Sequence, residues 1–146
     1  FYISYKKTAL QTAEFIEHIV IPKHSDNTLL KVYKISKRLE DDISASCAAI
    51  QLQCVHNVIT SASIAYGGMA EIPKRACHCE QSLIGQPWSQ ASIQQAMIML
   101  EQDFNPISDF RASADYRLTV SKNLLLRYFH EINAGSANTL RVTHYA

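Results

Sequence analysis

No apolar run in this sequence reaches the roughly 18–20 uninterrupted residues a helix needs to cross a bilayer, so nothing in it reads as a transmembrane span. Charge of one dominant sign is missing as well: 14 Lys and Arg against 13 Asp and Glu leave a formal net charge of +1. A chain so nearly neutral has no overall field to gather nucleic acid or an anionic membrane, and neither partner is expected. Four glycines and four prolines in 146 residues are too few for a low-complexity or largely disordered chain. Cysteine is also scarce, with four residues, and a domain of this length buries roughly 68–70% of its extended surface without covalent staples. A reducing, cytoplasmic setting is therefore expected. The opening Phe1-Tyr2-Ile3-Ser4-Tyr5-Lys6-Lys7 lacks the charged-then-apolar layout of a secretory leader, and the missing initiator Met suggests a fragment of a longer polypeptide.

What is present divides by period. Glu14 to Pro22 is rich in Ile and Val and reads as a strand closed by a proline that cannot donate to a ladder. Lys23-His24-Ser25-Asp26-Asn27 has turn chemistry, and extended character resumes from Thr28 to Leu39, so these segments are expected to form a hairpin. Ile43 to Cys54 and Val58 to Tyr66 suit a second hairpin, with His56-Asn57 as its tight turn. The small residues Ser44, Ala45, Ser46, Ala48 and Ala49 would equally suit the start of a helix. Gly67-Gly68 ends the strand region by permitting backbone angles closed to other residues.

The second half follows a helical period. Ile93, Ala96, Met97, Leu100 and Phe104 mark an amphipathic helix over Ser89–Phe104, which Ser89 is placed to cap. Asn105-Pro106 breaks it, and a longer helix runs from Ala114 to Ile132 with Tyr116, Val120, Leu124 and Tyr128 on one side and Gly135 beyond its end. A shorter helix is expected from Arg75 to Ile84, closed by Gly85. The predicted class is α+β: an antiparallel sheet of three to four strands packed against about three helices.

Cys77-His78-Cys79 invites a metal reading. It lacks the Cys-x-x-Cys pairing of structural zinc sites and has no apparent second ligand pair, so partly buried thiols are the plainer reading and no metal site is expected. Tyr66-Gly67-Gly68 lacks the context of a phosphate-binding loop and reads as a structural turn. Asp109, Arg111, Asp115 and Arg117 alternate in sign where the last helix starts, which suits packing and capping.

Several segments then fall in an order that carries a resemblance: residues 1–14 with Ile21-Pro22; Tyr33-Lys34-Ile35-Ser36-Lys37-Arg38-Leu39-Glu40-Asp41-Asp42-Ile43; Ala65-Tyr66-Gly67-Gly68-Met69-Ala70 with Pro73 and Arg75-Ala76; and Trp88 with residues 103–117 and Asn123-Leu124-Leu125. Together they resemble the CO dehydrogenase flavoprotein C-terminal domain of molybdenum hydroxylases, the group that includes xanthine dehydrogenase, aldehyde oxidase and carbon monoxide dehydrogenase. The resemblance implies that residues 1–146 form a single domain, the C-terminal half of a flavoprotein subunit, with an N-terminal FAD-binding half outside this chain. The Glu40-Asp41-Asp42 run after Lys37-Arg38 points within that group to xanthine dehydrogenase.

On that resemblance FAD is the implied cofactor, held mainly by the N-terminal half. The molybdenum cofactor and iron–sulfur clusters would lie in other domains or subunits, and NAD would be the electron acceptor. Lys34 is implied to contact the pyrimidine end of the flavin, and Asp41 to lie beside the ring where NAD or oxygen is served. No catalytic residue is implied in this chain. From the residues alone, Lys34 also suits a solvated lysine on an edge strand, and Asp41-Asp42 a turn or helix start. Arg38 suits an ion pair with Asp41 or Asp42 better than a cofactor phosphate. Leu39 stands where animal xanthine dehydrogenases often carry arginine, which implies a fixed dehydrogenase. The alternatives are the flavoprotein domain of an aldehyde or CO dehydrogenase type enzyme, or a cofactor-free interaction module.

Overall fold

Ala48, Ile50 and Leu52 alternate with Cys47, Ala49, Gln51 and Gln53, while Ala62, Ile64 and Tyr66 alternate with Ser61, Ser63 and Ala65. A period of two places each apolar set on one face of a strand. The computed structural model describes residues 1–23, 28–38 and 42–134. In chain order its elements are β1 (Tyr2–Ser4), β2 (Lys7–Thr8), β3 (Thr28–Ile35), β4 (Ser46–Val55), β5 (Val58–Gly67), β6 (Lys74–Arg75), α1 (Cys77–Leu83), α2 (Gln90–Asp103) and α3 (Ala114–Asn133). The first two strands form a small separate ribbon, and the others an antiparallel sheet in the order β3-β4-β5-β6.

The hairpin between β4 and β5 turns on His56 and Asn57, both at positive φ (48° and 63°), the geometry that matches the twist of paired strands. Ser46 to Ala49 belong to β4, so the helical alternative for these small residues is not taken: β3 and β5 flank them and satisfy their backbone on both sides. The other expected hairpin does not form. Residues 14–22 belong to no strand: strand propensity is realised only against a partner, and β3, the edge strand, pairs with β4 alone among the described residues. β3 also stops at Ile35, four residues short of the expected Leu39, where the Ser36 hydroxyl bonds the Arg38 carbonyl (2.7 Å) and turns the chain. Leu39 itself and the connector residues His24 to Asn27 lie outside the described residues.

Ala48, Ile50, Leu52, Ile64 and Tyr66 are buried under the helices. α1 packs on β5, α3 crosses β4 and β3, and α2 lies between the other two helices. α2 starts at Ser89, whose hydroxyl accepts from the Ser92 amide, as expected. α1 begins at Cys77 instead of Arg75, because Arg75 is in β6 and the Ala76 amide continues the sheet pattern to the Ile64 carbonyl. Its first turn is capped from a distance: the buried Asp103 carboxylate, at the end of α2, accepts from the amides of His78 and Cys79 (2.9 Å each). Gly85, at φ +82°, follows α1 as expected, whereas Gly135 lies outside the described residues.

α3 is capped by Ser113, and its buried stripe is rotated from the expected one. Leu124 and Tyr128 are inside, but Tyr116 is half exposed, and Arg117 and Ser121 take the interior positions at the start of the helix. Tyr33 donates to Glu131 (2.9 Å), which also accepts from Arg127 (2.7 Å), and the Tyr128 hydroxyl donates to the Leu29 carbonyl (2.7 Å). These bonds fasten the C-terminal half of α3 to β3. Burial and the bond to Glu131 push the Tyr33 phenol up from its ordinary range.

The two sheet faces differ in what a substitution does. Ile50→Ala is expected to lower stability by about 2–5 kcal/mol, since it removes fully buried methyl groups and leaves a cavity. Val32→Thr, on a largely exposed residue of the opposite face, is expected to stay within about 0.5 kcal/mol. Urea unfolding of both variants checks the asymmetry.

Candidate functional site

Because β3 pairs in register with β4, Lys34 stands opposite Cys47, and Cys47 in turn opposite Gly67 of β5. Val32, Ala49 and Ala65 make the next row. These residues share the face turned away from the helices, where Lys34 is exposed and the small residues of β4 and β5 are half buried. The result is a shallow, nearly side-chain-free shelf bordered by an ammonium group. Asp41, the other implied flavin neighbour, lies outside the described residues, as do Leu39 and Glu40. The stems on either side are described. The Ala45 amide donates to the Ile35 carbonyl (2.7 Å), which ties the end of β3 to the entry of β4.

A cleft of about 420 Å³ is lined by Lys37, Arg38, Asp42, Ile43, Phe110 and Arg111, among others. A larger hollow of about 610 Å³ shares Ile43 and Arg111 with it and has Met69, Pro106 and Arg117 in its wall. Phe110 and Ile107 project from the loop between α2 and α3, 76% and 72% exposed, and the Arg111 guanidinium lies 4.3 Å from the centre of the Phe110 ring. The combination of exposed apolar side chains and three cations suits a ligand with both a flat ring and negative charge.

Arg117, expected only to pack and cap, is 3% exposed. One Nη donates to the Ala45 carbonyl (2.6 Å) and the Gly68 carbonyl (2.9 Å), and the other to Asp109 (2.7 Å). Gly68 has φ +80°, and a Cβ there would come within 2.7 Å of the Ala45 oxygen, so the close approach demands glycine. The Tyr66-Gly67-Gly68 turn is thus structural, as its sequence implies. Asp115 lies in the first turn of α3. Partial burial by itself raises the Asp109 carboxyl, but the Arg111 amide, the Arg117 guanidinium and the Ala112 amide outweigh it and hold the group at about 2.

The Cys77-His78-Cys79 segment divides between environments. Cys77 is exposed, Cys79 is fully buried, and the His78 ring nitrogen bonds Asp103 at 2.9 Å. No group of three ligating side chains suited to a metal occurs among the described residues. Burial, with the Asp103 and Glu80 carboxylates next, pushes the Cys79 thiol far above its ordinary range. Glu80 is buried too, accepting from the Ile64 amide (2.7 Å) and from Arg75. Sequence reading overlooked Arg117, Asp103 and Glu80 as interior groups because charged residues usually mark the solvated face. The spacing Arg117, Ser121, Leu124, Leu125, Tyr128 is nevertheless a helical stripe, and it was the available signal.

Iodoacetamide is expected to alkylate native Cys77 rapidly and Cys79 only after unfolding, read by mass spectrometry of digested protein. A carboxyl held below its ordinary value of 3.8 stabilises the fold above that pH and ceases to as pH falls towards about 2. Asp109→Asn is therefore expected to flatten the loss of stability between about pH 4 and 2, as followed by urea midpoints across that range.

The chain is similar to known proteins along most of its length. It is 33% identical over 136 residues to a xanthine dehydrogenase of Emericella nidulans, an alignment covering 90% of this chain and 10% of that protein. It is 31% identical over 136 residues to nicotinate hydroxylase hnxS of the same organism, covering 88% of this chain and 10% of the relative. The chain thus spans about a tenth of the length of these relatives. Its fold matches a carbon monoxide dehydrogenase from Hydrogenophaga pseudoflava with a TM-score of 0.71 at 20% identity, over 80% of this chain and 40% of that one. No helix among the described residues is long and apolar enough to cross a membrane. Residues 31–132, from β3 almost to the end of α3, match the family's pattern, and the chain belongs to the CO dehydrogenase flavoprotein C-terminal domain family.

Proposed function

We propose that this chain is the C-terminal part of the FAD-containing component of a xanthine dehydrogenase, helping to hold the flavin that passes electrons from iron–sulfur clusters to NAD during purine hydroxylation. The observation that carries this reading is the place of Lys34, exposed at the edge of a shelf made from Cys47, Ala49, Ala65 and Gly67. A flat ring system fits against residues that project so little, and an ammonium beside it suits the charge that a flavin gains on reduction. When bound, FAD supplies the electron and hydride chemistry, while the protein's part is position and local charge.

Lys34 would hold the pyrimidine end of the ring. Opposite charges about 4 Å apart attract by about 4 kcal/mol at an effective dielectric of 20, before desolvation. Asp41 would oppose further negative charge on the ring, and the cations of the Lys37–Arg111 cleft suit the diphosphate of NAD. Phe15, Ile19, Val20 and Ile21 are each at least 77% exposed, which fits a segment covered by an N-terminal FAD-binding half that residues 1–146, as the C-terminal half, would complete. The molybdenum cofactor and iron–sulfur clusters would belong to other domains or subunits. A cytoplasmic setting suits the four unpaired thiols.

The similarity to a nicotinate hydroxylase favours one competing reading, a molybdenum hydroxylase acting on another heterocycle. Flavin titration and NADH-driven bleaching of the full-length polypeptide test the main one. Lys34→Ala is expected to keep the fold and slow bleaching by more than about tenfold, the effect of losing about 1.4 kcal/mol at the barrier. A full-length protein that folds but takes up no flavin would leave the cofactor-free interaction module in its place. Turnover of nicotinate in preference to xanthine would select the competing substrate.

A further inference from the structure

Two glycines follow Tyr66, and only the second is required by the backbone. Gly68 has positive φ and leaves no room for a Cβ beside the Ala45 carbonyl. Gly67, the last residue of β5, lies outside the positive-φ region. A Cβ placed on it would meet, within 4 Å among the described residues, only the Cys47 Cβ at 3.7 Å, an ordinary van der Waals distance. The geometry of this domain therefore admits any L-residue at 67. A β-branched one would suit the strand better, since glycine loosens a strand and packs nothing.

The direction in which the missing side chain would project supplies a reason for the glycine. Gly67 pairs with Cys47 and Cys47 with Lys34, so the three make one row across β5, β4 and β3. Side chains of such a row share a face, and this is the open one, because the neighbouring Ala48 and Tyr66 are buried under the helices. Along β5 the residues of that face are Ser61, Ser63, Ala65 and Gly67, paired with Gln53, Gln51, Ala49 and Cys47. Polar side chains occupy the far rows, and what projects dwindles to nothing at the row that holds the ammonium.

We propose that Gly67 is a specificity-determining residue: its missing side chain keeps clear the end of the shelf where the pyrimidine end of the flavin rests over Cys47 beside Lys34. The inference rests on the reading that the open face seats the flavin. Gly67 gives up strand stability for ligand clearance, and Cys47 is the polarizable floor beneath the ring.

The test compares the full-length polypeptide with its Gly67→Ala, Gly67→Val, Ser61→Val and Lys34→Ala variants. Three quantities are read: the FAD dissociation constant by titration, NADH-driven bleaching per bound flavin, and hydrogen exchange of the β4 and β5 amides before FAD is added. Gly67→Val is expected to weaken FAD uptake by about tenfold or more, the usual scale of overfilling a fitted contact, or to slow bleaching per flavin as much if the ring is held displaced. Gly67→Ala should act in the same direction to a smaller degree. Ser61→Val, on the same face at the far end of β5, should do neither. The strand amides should exchange no faster in either Gly67 variant, whereas a glycine serving the fold would give faster exchange. If Gly67→Val loosens the strands, Gly67→Ala decides: lowered uptake or bleaching at unchanged exchange supports the role, and no change in either overturns it. Unaltered uptake and bleaching in a well-folded Gly67→Val, faster exchange in Gly67→Ala, or an equal loss in Ser61→Val each overturn the clearance role. So does faster exchange throughout the N-terminal half in flavin-free Gly67→Val, which would mean that protein backbone fills the space. In those cases the flavin reading stands if Lys34→Ala still slows bleaching. An unsubstituted polypeptide that folds but takes up no flavin removes that reading and the inference with it.

Discussion

A guanidinium that is only 3% exposed has to be answered by acceptors, and the architecture around Arg117 supplies them to both Nη atoms, leaving Nε without one among the described residues. A buried charge without partners is far more costly than the same charge in water, so the carbonyls of Ala45 and Gly68 and the carboxylate of Asp109 are held where Arg117 needs them. Each acceptor lies on a different segment: the entry to β4, the turn after β5, and the connection between α2 and α3. One side chain thus joins three pieces of chain that sequence keeps far apart. The same helix repeats the device farther along, where Tyr128 and Glu131 bond to β3.

This polar side of α3 gives the sheet its asymmetry. The helices bury one face completely, with Ile50, Leu52 and Ile64 beneath them, while the opposite face carries Lys34 among small residues and has no helix over it among the described residues. An antiparallel sheet tolerates one open face. Here that face is level because Cys47, Ala49, Ala65 and Gly67 fall at cross-strand positions. The buried side of the domain and its open side are therefore opposite faces of the same strands.

Two further buried carboxylates show how short elements are stabilised in such a small core. α1 has seven residues and no side-chain cap at Ala76, yet Asp103 supplies the missing acceptor from the end of α2. Glu80, within α1, bonds back to the Ile64 amide of β5 and to Arg75 of β6. A helix too short to persist alone is thereby held from both sides.

Local chemistry was enough to read the turn at His56-Asn57, the cap at Ser89, the stop at Asn105-Pro106 and the α+β class, because each depends on residues close in the chain. The Ile- and Val-rich run from Glu14 to Pro22 misled for the complementary reason: its strand propensity is plain, but a strand exists only where a tertiary neighbour pairs with it, and no described strand pairs with this run. Lys34 was legible as a candidate through the motif around it, whereas its shelf was not, since Cys47 and Gly67 reach it only through register. Nor did the alternating charges near the start of α3 disclose that Arg117 turns inward while Asp115 does not. Periodicity locates a helix, but which of its faces meets the sheet is decided by the partners available there. The sequence by itself thus determined the three helices, the β4–β5 hairpin, the class and the family, all carried by local pattern. Tertiary structure decided where the buried charges lie and which groups they hold together, because those energies depend on partners up to 98 residues away along the chain.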